Sequence, residues 1–201
     1  MGAEPQKSSR KPRADSIRNR EKLLAAASDV FSAGGPGASL EAVAREAGVG
    51  IGTLYRHFPT RESLFLAVYE REVDEMVDLA TRLAGEADPV EALRRWMHAS
   101  VHMVATKRGM LAALTPTVEG ADAFFAEVSK RLLKAVSDLM DRGIETGRLR
   151  GDVPPEEVMR AFLAICYTRE QPGWQETVIR LLDVFIDGLA TSPAQRDGGA
   201  G

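Results

Sequence analysis

The side chains best able to do chemistry in this chain lie close together between Ser39 and Arg61, in SLEAVAREAGVGIGTLYRHFPTR. Thr53, Tyr55, Arg56 and His57 supply two hydroxyls, a guanidinium and an imidazole, with no carboxylate among them. Such a set donates hydrogen bonds to an anionic or polar surface and carries no general acid–base pair. A guanidinium can hold guanine O6 and N7 with two parallel N–H bonds, worth about 1–3 kcal/mol of discrimination between bases, so Arg56 is the candidate base reader. Further along, His98 and His102 stand four residues apart with the spacing of zinc ligands, but no third or fourth ligand accompanies them and no metal is expected. The chain shows no Gly-rich phosphate loop, no Ser/His/Asp set at recognisable spacing and no acidic metal cluster. These absences argue against an enzyme and against any cofactor.

The elements that must position these residues can be read locally. Ser39 is an N-cap, and Glu41 places negative charge in the first turn, where the helix dipole favours it. Leu40, Val43, Ala44 and Ala47 form one apolar stripe, and Gly48 can take the positive φ that stops the helix. A second short helix then runs from Ile51 to Phe58, with Leu54 and Phe58 inward, and Pro59 ends it. Two short helices joined by a Gly-bearing turn, the second carrying donors and a cation on its exposed side, are what a helix-turn-helix reader of the major groove requires.

GIGTLYRHF, followed by a helix start at Thr60-Arg61-Glu62, resembles the recognition-helix signature of the TetR family of bacterial transcriptional regulators, over about residues 17–68. WMHASVHMVATKRG and the following MLAAL resemble, less specifically, the SbtR-like C-terminal class of that family. The resemblance implies a homodimer whose two recognition helices enter successive major grooves of a near-palindromic double-stranded operator, with half-sites about 34–36 Å apart. It also implies a body that binds a small-molecule effector and releases the DNA, which is ligand-relieved repression. An activator, or a regulator answering a protein partner, would keep the same head. By position, the resemblance assigns Thr53 and Tyr55 to phosphate or base-edge contacts, His57 and Arg61 to phosphates and Ser39 to a backbone contact. Gly50 and Gly52 stand where family members often carry a base-reading side chain, so fewer residues, helped by DNA shape, must carry specificity.

The whole chain is consistent with an all-α fold of about nine helices. Its 201 residues are 44% apolar, enough for a sizeable core. No stretch approaches the roughly 20 apolar residues of a membrane span, so no membrane partner and a cytoplasmic location are expected. The single cysteine, Cys166, suits a reducing compartment as a small buried side chain. Net charge is −3, but residues 1–60 hold nine Lys/Arg against six Asp/Glu, while the remainder hold 17 against 23. A basic head on an acidic body favours an oriented approach to DNA.

Residues 1–14 are expected to be a disordered basic arm, either following phosphates or simply solubilising. Residues 15–60 form the DNA-binding domain, beginning with a helix capped by Asp15 whose Arg18 is available to a phosphate. Residues 61–190 form the ligand-binding and dimerisation domain, and 191–201 a disordered tail. The helix starting at Arg61 is the rigid link between head and body. Beyond it, Lys107-Arg108-Gly109 reads as a break before a short turn of helix at Met110 to Leu114. Trp96, His98, His102, Met103, Met110, Phe124, Phe125 and Tyr167 are the candidate ligand-binding residues. The last two helices are apolar on more than one side, which suggests burial against a second copy through Val158, Phe162, Ile165, Val178, Leu182, Phe185 and Leu189.

Overall fold

Short-range capping chemistry sets three of the described helix starts. The computed structural model describes residues 10–34, 38–113, 121–167 and 173–191. Among these it has eight helices: α1 (Arg10–Ala33), α2 (Leu40–Glu46), α3 (Ile51–His57), α4 (Arg61–Leu83), α5 (Pro89–Ala113), α6 (Ala121–Glu145), α7 (Pro155–Cys166) and α8 (Trp174–Leu189). The fold is all-α; extended pairing among the described residues is limited to a bridge between Leu149 and Ala190. Ser39 Oγ accepts from the Ala42 amide at 3.1 Å to start α2, and Gly48, at φ +67°, turns the chain towards α3. A reciprocal capping box opens α4: Thr60 Oγ1 accepts from the Ser63 amide at 3.0 Å, and Ser63 Oγ accepts from the Thr60 amide at 3.2 Å. Asp88 caps α5 by accepting from the Val90 amide at 2.9 Å, with Pro89 in the first helical position.

Two expected boundaries differ. The first helix begins at Arg10, not Asp15. Arg and Lys propagate a helix at little cost, and Pro12 sits in the first turn, where an N–H has no helical acceptor. The rest of the expected arm, 1–9, and the tail at 192–201 lie outside the described residues. The second difference concerns Lys107-Arg108-Gly109, where α5 runs on unbroken to Ala113, so the expected short helix from Met110 is the end of α5. Gly109 is there for a close approach: a Cβ at that position would lie 1.8 Å from the Phe31 carbonyl oxygen of α1.

Packing divides into two cores. The head core combines Leu23, Leu24, Ala27 and Phe31 of α1 with Leu40 and Val43 of α2, Leu54 of α3, Phe58, and Leu64, Phe65 and Val68 of α4. Met110 belongs to this core and is fully buried in it. The body core is built from the later part of α4, from α5, α6, α7 and α8, with Trp96, Met97, Leu139, Phe162 and Leu182 among its buried side chains. Head and body are therefore joined twice, through α4 and through the end of α5, so α4 is not the sole link.

The two terminal helices are one-sided in a way their composition conceals. Val158 and Phe162 of α7 and Val178, Leu182 and Leu189 of α8 are buried within the chain's own core. Ile165 and Phe185 are half-buried against it. Five of the seven expected interface residues thus serve the monomer, and the outward apolar side chains are Leu163, Tyr167, Leu181 and Val184, the last 72% exposed. Periodicity places a stripe on each side of a doubly apolar helix without saying which faces inward.

Candidate nucleic-acid interface

The recognition helix is α3, held from below by Leu54 and Phe58, which are buried in the head core. Its outer surface presents Ile51, 39% exposed, and Tyr55, 44% exposed, four residues apart and so on one face. Arg56 is exposed beside them, with its Nε donating to the Gly52 carbonyl at 3.2 Å and an Nη to Thr53 Oγ1 at 2.9 Å. The guanidinium thus rests on its own helix, and leaving those two bonds for a base edge needs only side-chain rotation. His57 is half-buried, its ring centroid 6.4 Å from that of Phe58. Phe58 also carries the Arg20 guanidinium 5.4 Å from its centroid, tying α1 to the end of α3.

Gly50 and Gly52 have open surroundings: a Cβ at either would meet nothing within 4 Å. They are not packing glycines, and they leave bare backbone at the start of the recognition helix. Ile51 lies between them, and in the sequence it marks only the helix start. An exposed aliphatic side chain at that place can meet a thymine methyl in the major groove.

Ser39, half-buried, spends its oxygen on the α2 cap but keeps its hydroxyl proton for donation. Arg61 is exposed in the first turn of α4, and Arg18 is exposed on α1, 3.5 Å from Asp15. The structure thus puts Thr53, Tyr55, Arg56 and His57 on one short helix, with Ser39, Arg61 and Arg18 on the neighbouring elements of the same head.

The expected ligand residues are distributed over the body core, the head core and the surface. Trp96 is buried, and its indole N–H donates to the Met76 carbonyl at 2.9 Å. Met103 lies in the body core and Met110 in the head core. Phe124 and Phe125, half-buried, join Tyr69 and Phe65 in a ring cluster with centroids 5.5–6.2 Å apart. Lys107 Nζ lies 4.7 Å from the Phe125 centroid and 5.2 Å from that of Tyr69, and burial lowers its pKa. Tyr167 is on the outer surface, 5.5 Å from the Arg108 guanidinium, which also lies 4.4 Å over Trp174 and donates to the Cys166 carbonyl at 2.7 Å. His98 and His102 together line a cleft of about 330 Å³ between α1, α5 and α8. No group of three metal-ligating side chains comes together among the described residues.

A polar network at the meeting of α1, α4 and α5 had no signal in the sequence. Glu72 of α4, buried between head and body, accepts from Ser28 Oγ of α1 at 2.6 Å, and Ser28 Oγ lies 3.1 Å from His102 Nε2 of α5. Burial pushes the Glu72 carboxyl up to about 7, against hydrogen bonds from Ser28 and Thr106 that lower it. Its Oε2 is buried without a partner.

Comparison with known proteins agrees with this geometry. Residues 23–68 match the family described as bacterial regulatory proteins, tetR family. Residues 88–191 match the C-terminal domain described as transcriptional regulator SbtR-like. The TetR transcriptional regulator SCO0520 of Streptomyces coelicolor is 39% identical in sequence, with a TM-score of 0.74 over 86% of this chain and 99% of that one. A TetR regulatory protein of Mycobacterium vanbaalenii is 33% identical, with a TM-score of 0.67 over 89% of this chain and 99% of that one. Two further likenesses are shorter. The Staphylococcus aureus regulator SAR0097 is 34% identical over 73 residues, so the match spans 35% of this chain and 38% of that protein. The transcriptional activator FasR of Mycolicibacterium smegmatis is 44% identical over 59 residues, 29% of this chain and 27% of that protein. With a helix-turn-helix head on a helical body, and both segments matched, the chain belongs to the TetR family of DNA-binding transcriptional regulators, which are not enzymes.

Proposed function

We propose that the protein is a ligand-relieved repressor that works in the cytoplasm, binding a near-palindromic operator as a homodimer. The observation that carries this reading is the end of α5, where Gly109 sits against the α1 backbone and Met110 is buried in the head core. An effector that shifts α5 in the body must therefore move the head as well. Arg56, Tyr55, Thr53 and Ile51 read the major groove, while Ser39, His57, Arg61 and Arg18 hold phosphates and set register. The second copy packs on the outward apolar face of α7 and α8, around Leu163, Leu181 and Val184. Two heads are then held at a fixed separation, as successive grooves require.

The FasR likeness favours an activator as the second reading, but it spans 29% of this chain and 27% of that protein and leaves most of both uncompared. Selection of bound sequences from random DNA, followed by transcription from the selected operator with and without the protein, tests both. Repression through an inverted repeat is expected. An unrepeated site would overturn the dimeric reading, and transcription that falls when the protein is removed would favour the activator.

A further inference from the structure

The cleft between α1, α5 and α8 has a chemistry of its own. Ser32 on the last turn of α1, His98, Val101 and His102 on α5, and Gln175 and Ile179 on α8 line its volume of about 330 Å³, within the lower range of small-molecule sites. Head and body both contribute walls, so an occupant touches the two at once. No carboxylate is part of the lining. Two acids are engaged with the imidazoles or with their partners. Asp183 accepts from Arg94 at 2.7 Å and lies 2.9 Å from His98 Nε2. Glu72 accepts from Ser28, leaving the Ser28 oxygen to accept from His102 Nε2.

These contacts orient both rings in the same sense. Each imidazole uses Nε2–H as a donor to a group held by another helix, and its Nδ1 has no protein partner among the described residues. The only charge this lining can take on is positive, by protonation at Nδ1. Val101, Ile179 and the methyl groups of Ala33 and Ala105 make the remaining surface apolar.

We propose that this cleft binds a small organic carboxylic acid with a compact apolar body, and that it is the effector site of the regulator. The ligand enters as its carboxylate, and a proton taken from solvent at Nδ1 of His98 or His102 forms the imidazolium it pairs with. The Gln175 amide supplies a further donor, and the apolar body lies on Val101 and Ile179. An ammonium ligand would find no anion in the lining, and a neutral amide brings no negative charge to pair with an imidazolium. Because Ser32 belongs to α1 and His102 is linked through Ser28 to Glu72 of α4, the occupant bears on both helices that carry the head.

The effector assignment rests on the ligand-relieved reading above, and the test separates the two. Full-length protein is titrated with benzoate and with cyclohexanecarboxylate while the imidazole signals of His98 and His102 are followed by NMR. Benzamide, cyclohexanecarboxamide and benzylamine are the controls. At least one acid is expected to shift both imidazoles saturably, at least tenfold more tightly than its amide or benzylamine. The variant H98Q/H102Q, with binding followed through the Ile179 methyl signal, should lose that preference while keeping its melting temperature within a few degrees; Ile179→Trp, which fills the cleft, should lose binding altogether. No saturable shift with either acid, or equal binding of the amides or the amine, would overturn the site. Operator release is measured separately. Acids that bind the cleft yet leave the operator bound would remove the effector role and keep the site, whereas release by acids without any shift at His98 and His102 would remove the site and keep ligand relief.

Discussion

Gly109 brings α5 so close to α1 that a single methyl group there would lie 1.8 Å from the Phe31 carbonyl oxygen, which already accepts from the Gly34 amide at 3.1 Å. The oxygen cannot move without disturbing the end of α1, so the contact fixes the distance between the two helices. Gly109→Ala is expected to force α1 and α5 apart, costing about 1–3 kcal/mol as overpacked sites do. Denaturant unfolding of the variant measures it. An unchanged midpoint would mean that the helices part freely, and that the contact does not bind head to body.

Arg56 is the one fixed cation on the outer face of α3, and its resting bonds to Gly52 and Thr53 are within its own helix. Arg56→Ala should relax preference at one operator position in each half-site by about 1–3 kcal/mol, with binding to other positions little altered. Comparing sequences selected by the two proteins gives the readout, and identical preferences would remove Arg56 from base reading.

The outer face of α7 and α8 separates dimerisation from folding. Val184 is 72% exposed, whereas its neighbour Leu182 is fully buried. Val184→Glu should leave the melting temperature of the chain within a few degrees of its monomeric value and yield a monomeric mass by light scattering. Leu182→Glu should fail to fold, because an unpaired charge would enter the core. A dimeric Val184→Glu protein would place the interface elsewhere.

How much of this was legible beforehand follows the range of the interactions involved. The caps at Ser39 and Thr60 and the turn at Gly48 act within a few residues, and all are readable in the sequence. Gly109 has a local meaning, a helix breaker, opposite to its tertiary one, which is set by a backbone 78 residues earlier in the chain. Val158 and Leu182 read as interface residues in the sequence because hydrophobicity shows that a face is buried but not by what. The link from Glu72 through Ser28 to His102 joins three helices across separations of 44 and 74 residues, and no spacing rule connects them. The chemistry of Arg56 marks it as a candidate in the sequence, while Ile51 does not stand out there because an exposed aliphatic side chain resembles any other apolar helix position.

Glu72 makes head–body packing sensitive to pH. Its carboxyl is raised to about 7 chiefly by burial, with Ser28 of α1 and Thr106 of α5 as hydrogen-bonding partners opposing the rise, Glu75 raising it slightly and Arg71 lowering it on its own helix. His102 faces it through Ser28. The unfolded chain releases this proton near the ordinary glutamate value and the folded chain near 7, so between those values the folded state holds more protons. Stability from this group therefore falls as pH rises through that window and levels off above about 7. Glu72→Gln keeps the acceptor for Ser28 and removes the ionisation, so it should stabilise the protein at pH 8 by up to an amount on the order of 3 kcal/mol and have little effect at pH 5. Urea midpoints of both proteins from pH 5 to 8 check this: converging curves at low pH and diverging ones at high pH are expected. Parallel curves would show that Glu72 ionises no differently in the folded and unfolded chains.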